Sequence, residues 1–147
     1  LREIEARKSE KKIEKIRNGE ISLFDSAQNI LEQIEKPKSM VSNAPRKATE
    51  FSLKHFNIQN YFHEVRSPSL DSIETYMEKK KPNPKMIRET IKEKASENPV
   101  YIGDSDTDII AAEKAGIDSI HIETSGKTSE DPTHSVKDLR QISEIIR

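Results

Sequence analysis

Residues 98–117 read NPVYIGDSDTDIIAAEKAGI, and the fold turns on this stretch. Pro99 leads into Val100-Tyr101-Ile102, an apolar run of strand length closed by Gly103. A helix is expected from about Ser105 to Ala115, with Gly116 as the residue that ends it in the left-handed conformation. Ile117 to Ile122 then reads as the next strand. Strand, helix and strand in this order suit a βαβ unit and a parallel sheet.

The same alternation extends upstream. Ser39-Met40-Val41 is a short apolar run ending at Ser42-Asn43, and it reads as a buried strand. Asn43 is placed to cap the helix that follows, with Pro45 in its first turn. Ala44, Ala48, Phe51 and His55 share a face of that helix. Tyr61 to Val65 is a further strand, broken by Ser67-Pro68, and a short helix carries Leu70, Ile73 and Met77. Lys81-Pro82-Asn83-Pro84 is a loop, since each proline holds its predecessor away from α. The helix after it turns Met86, Ile87, Ile91 and Ala95 inward, and a closing helix spans 137–146 through Leu139, Ile142 and Ile146.

Two helices precede all of this. Residues 1–18 form a polar helix supported by the Glu3–Arg7 pair, with Leu1, Ile4, Ile13 and Ile16 as its sizeable apolar positions. It reads as a solvated surface helix or part of a lid, ended by Asn18-Gly19. Asp25 looks like an N-cap with Gln28 completing a capping box. Ala27, Ile30, Leu31 and Ile34 then give one core face before Pro37 stops the helix.

Composition narrows the function. The chain has 147 residues, a single domain's worth, and a net charge of −1 from 25 basic and 26 acidic side chains. That balance offers no field to attract nucleic acid or an anionic membrane. Apolar residues make up 32%, so the core is small. No run approaches the ~18 apolar residues of a transmembrane helix, and with no cysteine, disulfide and thiolate chemistry are excluded. A soluble cytoplasmic protein is expected. The chain opens on Leu1 and not Met, as a processed protein or a fragment would.

Three features could carry chemistry. Asp104 stands at a strand end, where open α/β sheets bind ligands, and Asp108 lies one helical turn further on. Two carboxylates so spaced suit a hard cation such as Mg²⁺ alongside phosphate oxygens. A plainer reading makes Ser105 a helix cap and Asp108 part of an acidic first turn, but it leaves Asp104 unexplained. An EF-hand is excluded because Ile109 and Ala115 replace the required Gly and Glu, and a P-loop because His121 replaces its first Gly. Ser42, at a strand end before a helix, can join helix N-terminal amides in a phosphate cradle. Lys81 offers a compact cation on a proline-stiffened loop, although Lys79 and Lys80 beside it also suit a plain solvated charge run. None of the four histidines has metal-site spacing, so each is expected to be a surface or satisfied residue.

Taken in order, Val41-Ser42-Asn43, Lys81-Pro82-x-Pro84 and Gly103-Asp104-Ser105-x-x-Asp108 resemble motifs II, III and IV of the haloacid dehalogenase superfamily. The resemblance covers about residues 20–147 and is strongest at motif IV. It implies an α/β, Rossmann-like core with a parallel sheet flanked by helices. It implies further that Ser42 and Asn43 belong to the phosphate-binding set, that Lys81 neutralises the phosphoryl group, and that Asp104 binds Mg²⁺. Asp108 would bind the metal, directly or through water, or orient Lys81. Family chemistry is attack by an aspartate on phosphorus, with water then hydrolysing the aspartyl-phosphate. That aspartate belongs to motif I, D-x-D-x-[TV], and no D-x-D precedes Ser42.

The expected architecture therefore lacks its central strand, leaving two inner edges unpaired beside an apolar gap. Residues 1–24 would be the end of a helical cap and 25–147 the core. The expected function is Mg²⁺-dependent hydrolysis of a small phosphorylated metabolite, in the manner of phosphoglycolate phosphatases, with the nucleophile upstream of this chain and the chain alone inactive. Phosphomutases share these motifs. A non-catalytic phosphate- or partner-binding module and an unrelated α/β binding domain stand as alternatives.

Overall fold

A computed structural model of the protein describes residues 1–94 and 97–146. Helices and short strands alternate: α1 (Arg2–Arg17), α2 (Ala27–Gln33), β1 (Ser39–Val41), α3 (Arg46–His55), β2 (Glu64–Arg66), α4 (Ile73–Lys79) and α5 (Lys85–Lys94). Then come β3 (Val100–Gly103), α6 (Asp106–Ala115), β4 (Asp118–Ile122), β5 (His134–Val136) and α7 (Ile142–Ile145). All pairings are parallel, but they fall into two sheets, β1-β2 and β3-β4-β5. No strand among the described residues pairs with the outer side of β1 or of β3. A cavity of about 140 Å³ lies there, with Val41, Ile87, Ile91, Val100 and Tyr101 among its lining residues. The split sheet and the apolar gap are those expected of a core without its central strand.

The larger half-sheet holds the main core. Ile120 and Ile122 of β4 meet Ile30 and Ile34 of α2, Val136 of β5 and Ile142 of α7. The opposite face of β4 lies under α6, whose Ala111 and Ala112 are fully buried and let helix and sheet approach closely. Gly116 ends α6 at φ 75°, a conformation that would strain an L side chain by about 1–2 kcal/mol.

Several elements differ from the sequence expectation. The first helix is no solvated rod. It packs along α3 and buries Glu5, Ser9, Ile13 and Ile16, a stripe whose polar members disguise it in sequence. Burial of Ile13 and Ile16 contributes roughly 1.5–3 kcal/mol each, while Leu1 and Ile4 remain exposed. Asp25 caps nothing: Ser26 is the N-cap of α2, no side chain caps it, and Gln28 turns to Glu32 and Tyr61. Asn43 does not cap α3 either, because its amide is engaged with the Lys81 peptide. The buried face of α3 is Ala48, Thr49 and Leu53, and Phe51 stacks on His55 instead. In α4 the buried residue is Tyr76, with Met77 outside.

Other shifts are smaller. A 3₁₀ turn over Gln59–Tyr61 pushes the second strand to Glu64–Arg66. The closing helix is split into a 3₁₀ turn, Leu139–Gln141, and the single turn of α7. Strand β5 gives almost no sequence signal, since only Val136 of its three residues is buried. Ala95, expected to face inward from α5, lies outside the described residues.

On α6 the capping is reciprocal: the Ser105 hydroxyl accepts from the Asp108 N–H and the Asp108 carboxylate accepts from the Ser105 N–H. Chemical denaturation should show Ser105→Ala losing about 1 kcal/mol, and Asp25→Ala losing nothing measurable.

Candidate functional site

Parallel packing brings the ends of β1 and β3 together, and the motif residues follow from that. Asp108 is the hub. Its Oδ2 accepts from the backbone N–H groups of Asp104 and Ser105, both at 3.2 Å, and from the Ser105 hydroxyl at 2.8 Å. Its Oδ1 forms an ion pair with Lys81, and both side chains are only 8% exposed. This fold-back needs Gly103, because a Cβ there would sit 2.4 Å from the Asp108 Cβ. Gly103 thus makes room for a protein side chain.

The Lys81 ammonium has three protons and three acceptors. Besides Asp108 it donates to the Tyr101 hydroxyl at 2.7 Å and to the Val41 carbonyl at 3.4 Å. Val41 is the last residue of β1, and its carbonyl faces the unpaired side of that strand, since the next residue's N–H bonds to Arg66 of β2. Tyr101 reaches the same carbonyl at 3.1 Å from β3, so its hydroxyl spans the gap between the half-sheets. Burial, followed by the charge of Asp108, raises the Tyr101 hydroxyl above the ordinary tyrosine range.

Asn43 fixes the Lys81 backbone from the other side. Its Nδ2 donates to the Lys81 carbonyl at 3.1 Å, and its Oδ1 accepts from the Lys81 N–H at 2.7 Å. Ser42 accepts from the Ala44 N–H at 3.1 Å and retains its own proton to offer. The helix amides around it are partly spoken for, because the Arg46 N–H bonds to Pro68. The anion-binding capacity at this end of β1 therefore rests on the Ser42 hydroxyl and Lys81 more than on a row of amides.

Asp104 behaves differently from Asp108. It is exposed, and its carboxylate accepts one long bond from Thr124, at 3.5 Å. No group of three or more His, Asp or Glu side chains that could hold a metal occurs among the described residues. Mg²⁺, however, keeps several waters and takes one or two carboxylates with substrate phosphate. Asp104 fits that demand as a single accessible ligand. Asp108, with both oxygens engaged, has the geometry of the residue that orients Lys81.

All five residues singled out in the sequence thus fall in one connected cluster. Others in it were missed. Tyr101 reads in sequence as a strand residue, and nothing local announces its hydroxyl. His121, which gave no signal for a role, is 2% exposed and sets Nε2 3.2 Å from the Asp104 carbonyl, with no partner for Nδ1 among the described residues.

With this geometry in place, comparison with known proteins is direct. The family model of haloacid dehalogenase-like hydrolases matches residues 2–122, and the chain belongs to that family. Among solved structures, a Clostridium difficile protein provisionally designated a phosphatase has a TM-score of 0.72 at 25% identity, over 86% of this chain and 61% of its own. A predicted phosphoglycolate phosphatase from Haemophilus somnus has a TM-score of 0.71 at 24% identity, over 86% of this chain and 58% of its own. A Bacillus subtilis protein, provisionally a hydrolase of the same family and solved with bound magnesium, shows the same fold at 19% identity and a TM-score of 0.71. It is matched over 85% of this chain and 55% of its own. The chain thus spans about 60% of the length of such structures. No curated protein matches it. No helix among the described residues is long and apolar enough to cross a membrane.

The buried pair sets an acid-side limit. Burial pushes the Asp108 carboxyl up, but the Lys81 charge and hydrogen bonds from Lys81 and Ser105 outweigh it and hold it below the ordinary value. A depressed carboxylate adds stability that is complete above its unfolded pKa of about 3.9, and loses it as pH falls through the lower folded value. The melting temperature should therefore hold down to about pH 4 and decline below it. Lys81→Met with Asp108→Asn should shrink that decline. Asp108→Asn alone, which strands a buried cation, should cost roughly 3–5 kcal/mol, and adding Lys81→Met should recover part of it by about 1–3 kcal/mol of coupling. Strictly additive losses in denaturant melts would contradict this account of the pair.

Proposed function

We propose that this chain forms the phosphate- and metal-binding part of a Mg²⁺-dependent phosphomonoester hydrolase acting on small phosphorylated metabolites. The observation that carries the reading is the division of labour between the two carboxylates. Asp108 is buried and spent on Lys81, whereas Asp104 is exposed and spent on almost nothing. A purely structural first turn would have no use for the second.

In this reading Ser42 donates to a phosphoryl oxygen, and Lys81 turns part of its ammonium from the Val41 carbonyl, its longest bond, toward the transferring group. Asn43 and Asp108 keep that ammonium in register from opposite ends. A magnesium ion on Asp104 would supply electrostatic stabilisation of the charge on phosphorus. Family chemistry calls for an aspartate nucleophile, and the chain has no D-x-D before Ser42, so we take that group to lie upstream of Leu1. On the same reading, residues 1–24 are the end of a helical cap and 25–147 the core.

By itself this chain should release no phosphate. The polypeptide that includes the upstream segment should hydrolyse small phosphomonoesters, phosphoglycolate among those to try, and only with Mg²⁺ present. Asp104→Asn, at an exposed position that does not hold the fold, should lower kcat by about 10²–10³-fold. Full turnover in that variant would overturn the assignment of Asp104. A phosphate-binding protein with no hydrolysis, even with the upstream segment present, would favour a non-catalytic binding module.

A further inference from the structure

Tyr76 and Glu5 lie outside the motif residues, yet Tyr76 touches the site's support and Glu5 touches Tyr76. Tyr76 is 2% exposed in α4, and its hydroxyl has two acceptors for one proton. One is Glu5 Oε2 of α1 at 3.1 Å, and the other is the backbone carbonyl of Asn43 at 3.3 Å. Asn43 in turn holds both polar groups of the Lys81 peptide. Three hydrogen-bonded links, through Tyr76 and Asn43, therefore join the first helix of the chain to the lysine of the site.

Such a connection is expensive to build. A buried carboxylate is unfavourable unless it is paired and hydrogen-bonded. Burial pushes the Glu5 carboxyl up, and hydrogen bonds from Lys8 and Tyr76 outweigh that and hold it below its usual range. Packing of α1 alone would be served by an apolar residue, as at Ile13 and Ile16 on the same stripe. What Glu5 adds is a second claim on the same proton: the hydroxyl makes a three-centre bond to the Glu5 carboxylate, the stronger acceptor, and to the Asn43 carbonyl, which ties α1 and the Asn43 backbone to one point.

We propose that Tyr76 is a positioning residue: its hydroxyl, shared between Glu5 and the Asn43 carbonyl, holds the Asn43 backbone so that the Asn43 amide can set the place of Lys81. The proposal rests on the reading of Ser42 and Lys81 as an anion site. It makes the seating of α1 on the core a determinant of phosphate affinity. Displacement of α1 would release the whole proton to the Asn43 carbonyl and so change the hold on Lys81.

The test uses Tyr76→Phe in the intact protein, which keeps the ring and removes only the hydroxyl. Inorganic phosphate with Mg²⁺ is titrated calorimetrically, and exchange of the Lys81 amide proton is followed by NMR on unliganded protein. The variant is expected to melt close to wild type, to bind phosphate about 3- to 10-fold more weakly, and to exchange the Lys81 amide faster. In an Asn43→Ala background the same change should add no further loss of affinity, because the link is already cut. A lowered melting temperature with wild-type affinity and wild-type amide exchange would show Tyr76 to be structural only and overturn the proposal. Failure of the underlying site reading looks different: wild type binds no phosphate, or binding survives Lys81→Met. The amide exchange still decides the role of Tyr76 in that case, since it needs no ligand.

Discussion

The ion pair of Lys81 and Asp108 is the constraint from which the other features of the site follow. A lysine and an aspartate each 8% exposed are tolerable only if nearly every proton and lone pair is engaged. That demand explains why residue 103 must be glycine, why Ser105 both caps α6 and bonds to the Asp108 carboxylate, and why the Tyr101 hydroxyl sits where it does. Each is a local necessity once the pair is in place. The pair is poor as a device for stability and good as one for holding a cation at one point near the ends of β1 and β3.

Much of this was legible in the sequence, and the reasons for the failures are physical. The β3–α6–β4 unit announced itself because a short apolar run, a capping serine and a terminal glycine all spoke for the same structure. Ser42, Lys81, Asp104 and Asp108 stood out because they occur together in the order of the family's motifs, although Lys81 and Asp108 each had a plain structural reading on its own. Asp25 was misassigned because the helix starts one residue later, at the Ser26 N-cap, and Asn43 because a cap must compete with tertiary partners. For Asn43 that partner, the Lys81 peptide, lies 38 positions away. The buried stripe of α1 was hidden because Glu5 and Ser9 occupy two of its four positions. Tyr76 could not be found at all, since its meaning depends on acceptors from two distant elements.

The two half-sheets illustrate what side chains can and cannot replace. Where a strand would place a ladder between β1 and β3, the structure sets the Tyr101 hydroxyl and the Lys81 ammonium against a single carbonyl of Val41. That satisfies one acceptor on the unpaired side of β1 but fills little space, and the cavity alongside remains. Val100 and Ile102, both 37% exposed, mark the same shortfall on β3.

The placement of the tyrosines has an optical consequence. The protein contains no tryptophan and three tyrosines. Tyr61 is bonded to Glu32 on the exposed side of α2, but Tyr76 and Tyr101 are each within one hydrogen bond of a residue that holds or is Lys81. Ultraviolet emission from the native protein is therefore tyrosine emission, two-thirds of its sources flank the lysine, and events at the site can be followed by their light without attaching a dye.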